Sequence, residues 1–299
     1  MSDLYFGLEA GGTKFVCAVG TSPDDIRERF RIPTTDPAAT IGSAIEFFTA
    51  AGSRHGNPAA IGIASFGPIE LRRARADYGH VRSTPKPGWS GADLVGPFVS
   101  AFGVPVGFDT DVNGAALAEW LWGAGRGLNS LIYLTVGTGI GGGAVAGGNL
   151  VHGLVHPEMG HVSVPRVVGD PYAGRCPFHG DCLEGMAAGP AIEARWGRTG
   201  EDLGEHLDAA VALEAAYLAA GLRQFVYVLA PERIVIGGGV SELPGLLEEV
   251  RRCLAEDLAG YGVVSEHFDD DFVTRPALGS DSGVAGAFAL AGAALSGQQ

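Results

Sequence analysis

The chain has 299 residues, enough for about two domains at roughly 150 residues each, and its 46% apolar and 18% charged residues argue against long disorder. A formal net charge of -14, with lysine only at Lys14 and Lys86, excludes a phosphate-tracking surface for nucleic acid and gives no attraction to anionic lipid. Four cysteines in a chain of this length make no disulfide framework, and the close pair Cys176 and Cys182 suggests a metal instead.

The opening residues, MSDLYFGLEAGGTKF, lack a basic region followed by a long apolar stretch and a small-residue cleavage site, so the expected location is the cytoplasm. Strands are predicted at Tyr5 to Ala10, Phe15 to Val19 and Ile61 to Ser65, with an amphipathic helix near Ile41 to Ala50 between them. A strand-like GVPVGFDT then leads into a helix, AALAEWLWG, that begins just after Asp111 and stops at a run of glycines. Gly127 to Val155 carries no formal charge and is long enough for a membrane span, but its glycine-rich middle, TVGTGIGGGAVAGGN, fits two strands and a turn better. Between His152 and Gly189 lies a Pro, Gly and His-rich stretch with little periodicity; a loop that long needs a function or a staple. Beyond it, VALEAAYLAAGLRQFVYVLA reads as a long buried helix, PERIVIGGGV as a strand and glycine turn, and LPGLLEEVRRCLAEDLA as a surface helix.

YFGLEAGGTKFVCAVG and LIYLTVGTGIGGGAVAGG repeat one design of strand, glycine turn and strand, so the chain reads as internally doubled. No fixed short period is present, which points to a pair of related domains and not a solenoid. Gly137, Gly139 and Gly142 have the spacing of the dinucleotide fingerprint, but a second strand follows them where that fingerprint needs a helix. A P-loop is excluded because no Gly-Lys pair occurs. What remains is a pair of hairpin turns, joined by a third turn at IGGGV, whose glycines let backbone N–H groups approach phosphate oxygens, with Thr13 and Thr138 each adding a hydroxyl. Either turn taken alone is equally a plain tight hairpin.

Transfer of a phosphoryl group to an alcohol needs a base, charge compensation and exclusion of water. Asp109 and Asp111 both stand at the strand-to-helix junction FDTDVNGAAL, where the helix dipole favours an ionised carboxylate; one of the two is expected to serve only as the helix cap. His161, Cys176, His179 and Cys182 supply four soft or borderline ligands suited to tetrahedral Zn²⁺. Four protein ligands leave no position for activated water, so the ion is read as structural, pinning the long loop. A Cys176–Cys182 disulfide and unliganded surface side chains are the alternatives. His152 and His156 are left out of the set, since a lone histidine is more often a hydrogen-bonded loop residue than a ligand.

In the order EAGGTKF, FGPI, TPKPGW, DTDVNGAALAEW, TVGTGIGGG, HPEMGHV, CPFHGDCLEG and IGGGV, the sequence resembles the ROK family of sugar kinases and related repressors over nearly its whole length. The resemblance implies an α/β fold of two ribonuclease-H-like, actin-like domains closing over an interdomain cleft. The division is expected at 1–112 and 113–299, with a zinc-stapled loop at about 152–189 and the last helix packing back on the first domain. It implies ATP phosphates held at Gly11, Gly12, Thr13 and Lys14 and at Thr138 and Gly139, the adenosine side lined by Gly237, Gly238 and Gly239, and Pro190 near the nucleotide. It selects Asp111 as the base, and it assigns Glu158, His161 and Glu184 to the sugar hydroxyls. Three departures stand out: Thr110 replaces a commoner Asn, His179 replaces a cysteine of the common cluster, and Lys86 replaces an Asn of glucose-directed relatives, where its charge would meet the product phosphate or sit at the cleft mouth. Trp89 would stack on a sugar face or, more in keeping with a tryptophan, pack in the interior.

The TPKPGW, DTDVNGAAL and CPFHGDC variants together resemble the fructokinase-like branch, implying an ATP- and Mg²⁺-dependent fructokinase, with a gluco- or mannokinase or a broad hexose kinase as the alternative. A sugar-sensing repressor would need a helix-turn-helix before the first glycine turn, which here begins within about ten residues of Met1. A catalytically dead sensor should have lost the base, and Asp111 is present. A homodimer is implied by the resemblance alone.

Overall fold

The computed structural model describes residues 3–297. The first part runs β1 (Tyr5–Ala10), β2 (Lys14–Ser22), β3 (Asp25–Pro33), α1 (Pro37–His55), β4 (Ala60–Ser65), α2 (Gly96–Phe102), β5 (Val106–Thr110) and α3 (Asp111–Trp122). It continues with β6 (Ser130–Val136), β7 (Ile140–Ala146), β8 (Asn149–Leu150), α4 (Leu183–Ala187), α5 (Gly189–Trp196), α6 (Leu207–Leu229), β9 (Ile234–Gly237), α7 (Leu246–Leu258), β10 (Val273–Thr274) and α8 (Ser282–Ser296).

The strands make two five-stranded sheets, ordered β3-β2-β1-β4-β5 and β10-β9-β6-β7-β8. In the first, β1 pairs antiparallel with β2 and parallel with β4; in the second, β6 pairs antiparallel with β7 and parallel with β9. Both sheets therefore share one wiring, a hairpin whose first strand also starts a parallel run. The doubling read from the two glycine-turn segments extends to the topology, and the charge-free stretch forms the two expected strands, β6 and β7, with the two-residue β8 in addition.

The chain divides into two compact units, one of residues 3–126, 150–157 and 277–297 and the other of residues 127–149 and 158–276. The sequence-based division after residue 112 assigns α3 to the second domain, whereas α3 packs on α8 and β4 in the first unit. The last helix covers the first sheet: a Cβ on Gly62 would stand 1.7 Å from the carbonyl oxygen of Ala287, so only glycine lets α8 rest on β4. All six residues of β4 are buried, as a strand covered on both faces requires.

α1 extends beyond the predicted span at both ends because its signals lie outside the apolar stripe: Asp36 caps it, accepting from the Ala39 N–H at 3.0 Å, and Pro37 follows. The stripe itself, Ile41, Ala44, Phe48 and Ala51, faces the core. β3 was not anticipated. Its Arg27, Glu28, Arg29 and Arg31 blunt an edge strand with charge, and Glu28 interrupts the alternation of Ile26, Phe30 and Ile32, of which only Ile32 is buried. Among the described residues one helical stretch, Gly204–Leu229, is long and apolar enough to cross a membrane, and it is mostly buried within the protein, as a core helix is. Trp89 is fully buried, packs against Phe15 and Phe66 and donates from Nε1 to the Thr35 carbonyl at 2.8 Å, which makes it a core residue.

Candidate active site

The end of β5 sets up the start of α3. Thr110 is the cap: its Oγ1 accepts the Asn113 N–H at 3.1 Å, so neither neighbouring aspartate fills the role foreseen for one of them. Asp111 thus becomes the first residue of the helix, partly exposed, with Oδ1 accepting the Val112 N–H at 2.9 Å.

Asp109 is 3% exposed, and its carboxylate is fully engaged. Oδ1 accepts from the Thr110 N–H at 2.7 Å and Asn113 Nδ2 at 2.8 Å, and Oδ2 accepts from His152 Nε2 at 2.7 Å. The hydrogen bond to Asp109 raises the His152 pKa, burial pulls it down, and the Asp109 charge adds to the rise. Four residues on, His156 accepts the Ile69 N–H at 3.2 Å through Nε2. Both histidines set aside in the sequence are therefore hydrogen-bonded loop residues, as that reading has it, yet one of them bonds Asp109, two residues before the candidate base.

The first glycine turn joins β1 to β2. Gly11 N–H donates to the Lys14 carbonyl at 3.0 Å and Thr34 Oγ1 braces the Gly11 carbonyl at 2.8 Å, leaving Gly12, Thr13 and Lys14 exposed. Glu9, absent from the sequence-based set, lies just before this turn. Burial holds its carboxyl above the ordinary range, against the pull of Lys14 and Arg29. Lys86 is half-buried in the same unit.

In the second unit the β6–β7 turn is closed by Gly137 N–H donating to the Gly139 carbonyl at 2.9 Å, with Thr138 exposed at its tip. The start of α5 abuts it: Gly189 N–H donates to the Gly137 carbonyl at 2.7 Å, which brings Pro190 alongside. The third turn packs behind. Gly238 has φ +88°, and a Cβ there would stand 2.4 Å from the Val136 carbonyl oxygen. Thr138, Gly139 and Pro190 are thus brought close to the Gly237 to Gly239 turn, in which Gly237 is buried at the end of β9. Glu184 joins the β6–β7 turn to the long loop, since its Oε2 accepts the Ile140 N–H at 2.9 Å. One oxygen of this predicted sugar contact is therefore committed to the turn.

The loop folds around His161, Cys176, His179 and Cys182, whose ligand atoms all lie within 4.8 Å of one another. His161 Nδ1 is 3.7 Å from Cys176 Sγ and 3.6 Å from Cys182 Sγ, and His179 Nδ1 is 3.8 Å from Cys176 Sγ. A tetrahedron with Zn–S of about 2.3 Å and Zn–N of about 2.0 Å has S···N edges of about 3.6 Å, so this donor set fits a zinc-sized ion. Glu158 is exposed directly ahead of the short turn Met159–His161, and its carbonyl accepts the His161 N–H at 3.0 Å.

Two sheets of one wiring, with glycine hairpins at their leading strands, make the two-domain actin-like fold. The chain belongs to the ROK family, which it matches over residues 5–294. It is 44% identical over 297 residues to a fructokinase of Zymomonas mobilis subsp. mobilis, covering 97% of each chain. It is 30% identical over 335 residues to a glucokinase of Halalkalibacterium halodurans, covering 96% of this chain and 94% of that one. Among solved structures, the ROK hexokinase from Thermus thermophilus superposes with a TM-score of 0.79 at 30% identity, over 96% of this chain and 97% of that one.

Proposed function

We propose that the protein is an ATP-dependent fructokinase, converting ATP and D-fructose to ADP and fructose 6-phosphate. The sugar assignment is supported by the higher identity to a fructokinase than to a glucokinase. The observation that carries the mechanism is the carboxylate of Asp111, partly exposed at the first helical position while Thr110 caps the helix.

Asp111 takes the proton of the sugar hydroxyl as that oxygen bonds to the γ-phosphorus and the bond to the ADP oxygen breaks. The Gly12 amide, with Thr13 and Lys14, on the turn that Gly11 closes, and the amides around Thr138 and Gly139 donate to phosphate oxygens, where the absence of side chains permits close approach. Gly237 to Gly239 and Pro190 take the adenosine side. Glu158, His161 and the uncommitted oxygen of Glu184 orient the sugar through its hydroxyls, and Lys86 supplies a cation for the phosphorylated product. Mg²⁺, when bound to the nucleotide, compensates phosphate charge. The four-ligand cluster holds a structural Zn²⁺, a closed site with no position for water. A cytoplasmic homodimer is part of the same proposal and rests on the family resemblance.

ADP release measured with Mg²⁺ and ATP against fructose, glucose, mannose and N-acetylated hexosamines tests the substrate. Fructose is expected to give the highest kcat/KM. A preference of about tenfold or more for another sugar, which one or two hydroxyl contacts can produce, contradicts the fructose assignment and leaves the mechanism standing.

A further inference from the structure

We infer that His152 is a positioning residue for the phosphoryl transfer: by donating to Asp109 it fixes the first turn of α3 and, with it, the bearing of Asp111. This rests on Asp111 being the base. The chain of contacts is short. His152 Nε2 meets Asp109 Oδ2 at 2.7 Å, while Asp109 Oδ1 holds both the Thr110 N–H and the Asn113 side-chain amide. Thr110 Oγ1 in turn holds the Asn113 N–H, so the residues flanking Asp111 on either side are tied to one buried carboxylate.

That carboxylate cannot hold itself. With its side chain 4% exposed, Asp109 needs a donor on each oxygen, and His152 supplies the one for Oδ2. The donor comes from residues 150–157, 43 positions away in sequence, and its ring is 40% exposed, so it contributes little as a packing residue. His156 ties the same segment down through the Ile69 N–H, four residues from His152. Without the imidazole, Asp109 Oδ2 turns toward water, the bonds to Thr110 and Asn113 loosen, and Asp111 loses its alignment with the sugar oxygen. An angular error of that kind falls on the chemical step and not on substrate capture.

The test compares His152→Ala, His152→Gln and Asp111→Asn in the full chain, each confirmed as folded by circular dichroism at the assay temperature. His152→Ala is expected to lower kcat on the order of 10²-fold while the KM values for sugar and ATP stay near those of the unmodified protein. His152→Gln, whose amide can donate where Nε2 did, is expected to recover most of that loss. Unchanged kcat in His152→Ala, a defect confined to the sugar KM, or a Gln variant as slow as the Ala variant would each overturn the inference. Asp111→Asn separates the two levels. If it is inactive while His152→Ala is fully active, only the role of His152 fails; if it turns over normally, the base assignment itself fails.

Discussion

Between Asp109 and Asp111 the same side chain has two fates set by one intervening hydroxyl. Because Thr110 caps α3, Asp109 is drawn into the interior and spent on hydrogen bonds, while Asp111 keeps a carboxylate partly open to solvent. A second buried acid carries a testable pH signature. Glu214 on α6 is 1% exposed, its Oε1 has no hydrogen-bond partner in the protein, and burial pushes its carboxyl well above the ordinary range, with Arg195 pulling the other way. A carboxyl whose folded pKa lies above its unfolded value binds its proton more tightly in the native state. The stability it contributes is full below the ordinary Glu range of about 4.3 and is lost as pH rises through the raised value. Urea unfolding of Glu214→Gln beside the unmodified chain should show an advantage for the variant that grows with pH; a difference that stays flat would contradict this. Asp111 was legible from the sequence because its junction motif is local. Glu9 and His152 were not: a carboxylate before a turn and a single loop histidine look ordinary until folding sets one in a buried place and the other against a residue 43 positions earlier.

The long loop between β8 and α4 is the element where sequence and structure agree most closely. It has almost no regular structure, and it gathers around four ligand atoms that all lie within 4.8 Å of one another. Its end, α4, carries Glu184, whose bond to the Ile140 N–H links the loop to the β6–β7 turn, so loss of the ion should disturb nucleotide binding as well as the loop. Purified protein is expected to hold one equivalent of zinc. Chelation should lower Tm by several degrees, given about 2–4 °C per kcal/mol in domains of this size, and Cys176→Ala should reproduce the shift. Less than half an equivalent of zinc with full activity would remove the ion from the account. Other elements were harder to read. β3 hides because its charges serve an edge and not a core, and α3 groups with α8 through packing across 160 residues and more, which no local pattern encodes.

At the scale of the molecule, the residues proposed for the chemistry fall in both units of one topology: Asp111 and one glycine turn in the first, and two further turns, the loop of candidate metal ligands, Glu158 and Glu184 in the second. The duplication was visible in the glycine-turn segments because hairpin chemistry is local. The point of division was misplaced because the first unit is built from three separate stretches of chain. A net charge of -14 puts a premium on local cation and amide donors wherever a triphosphate is to be held, and the exposed first turn, with Lys14 beside it, is such a place. The central claim is that one carboxylate, on the first residue of α3, accepts the proton of the sugar. Fructose-dependent ADP release by Asp111→Asn, measured with its affinity for ATP, addresses it directly. The account predicts a kcat lower by about 10²–10⁴-fold with ATP affinity and fold retained, and turnover within about tenfold of the unmodified protein would contradict it.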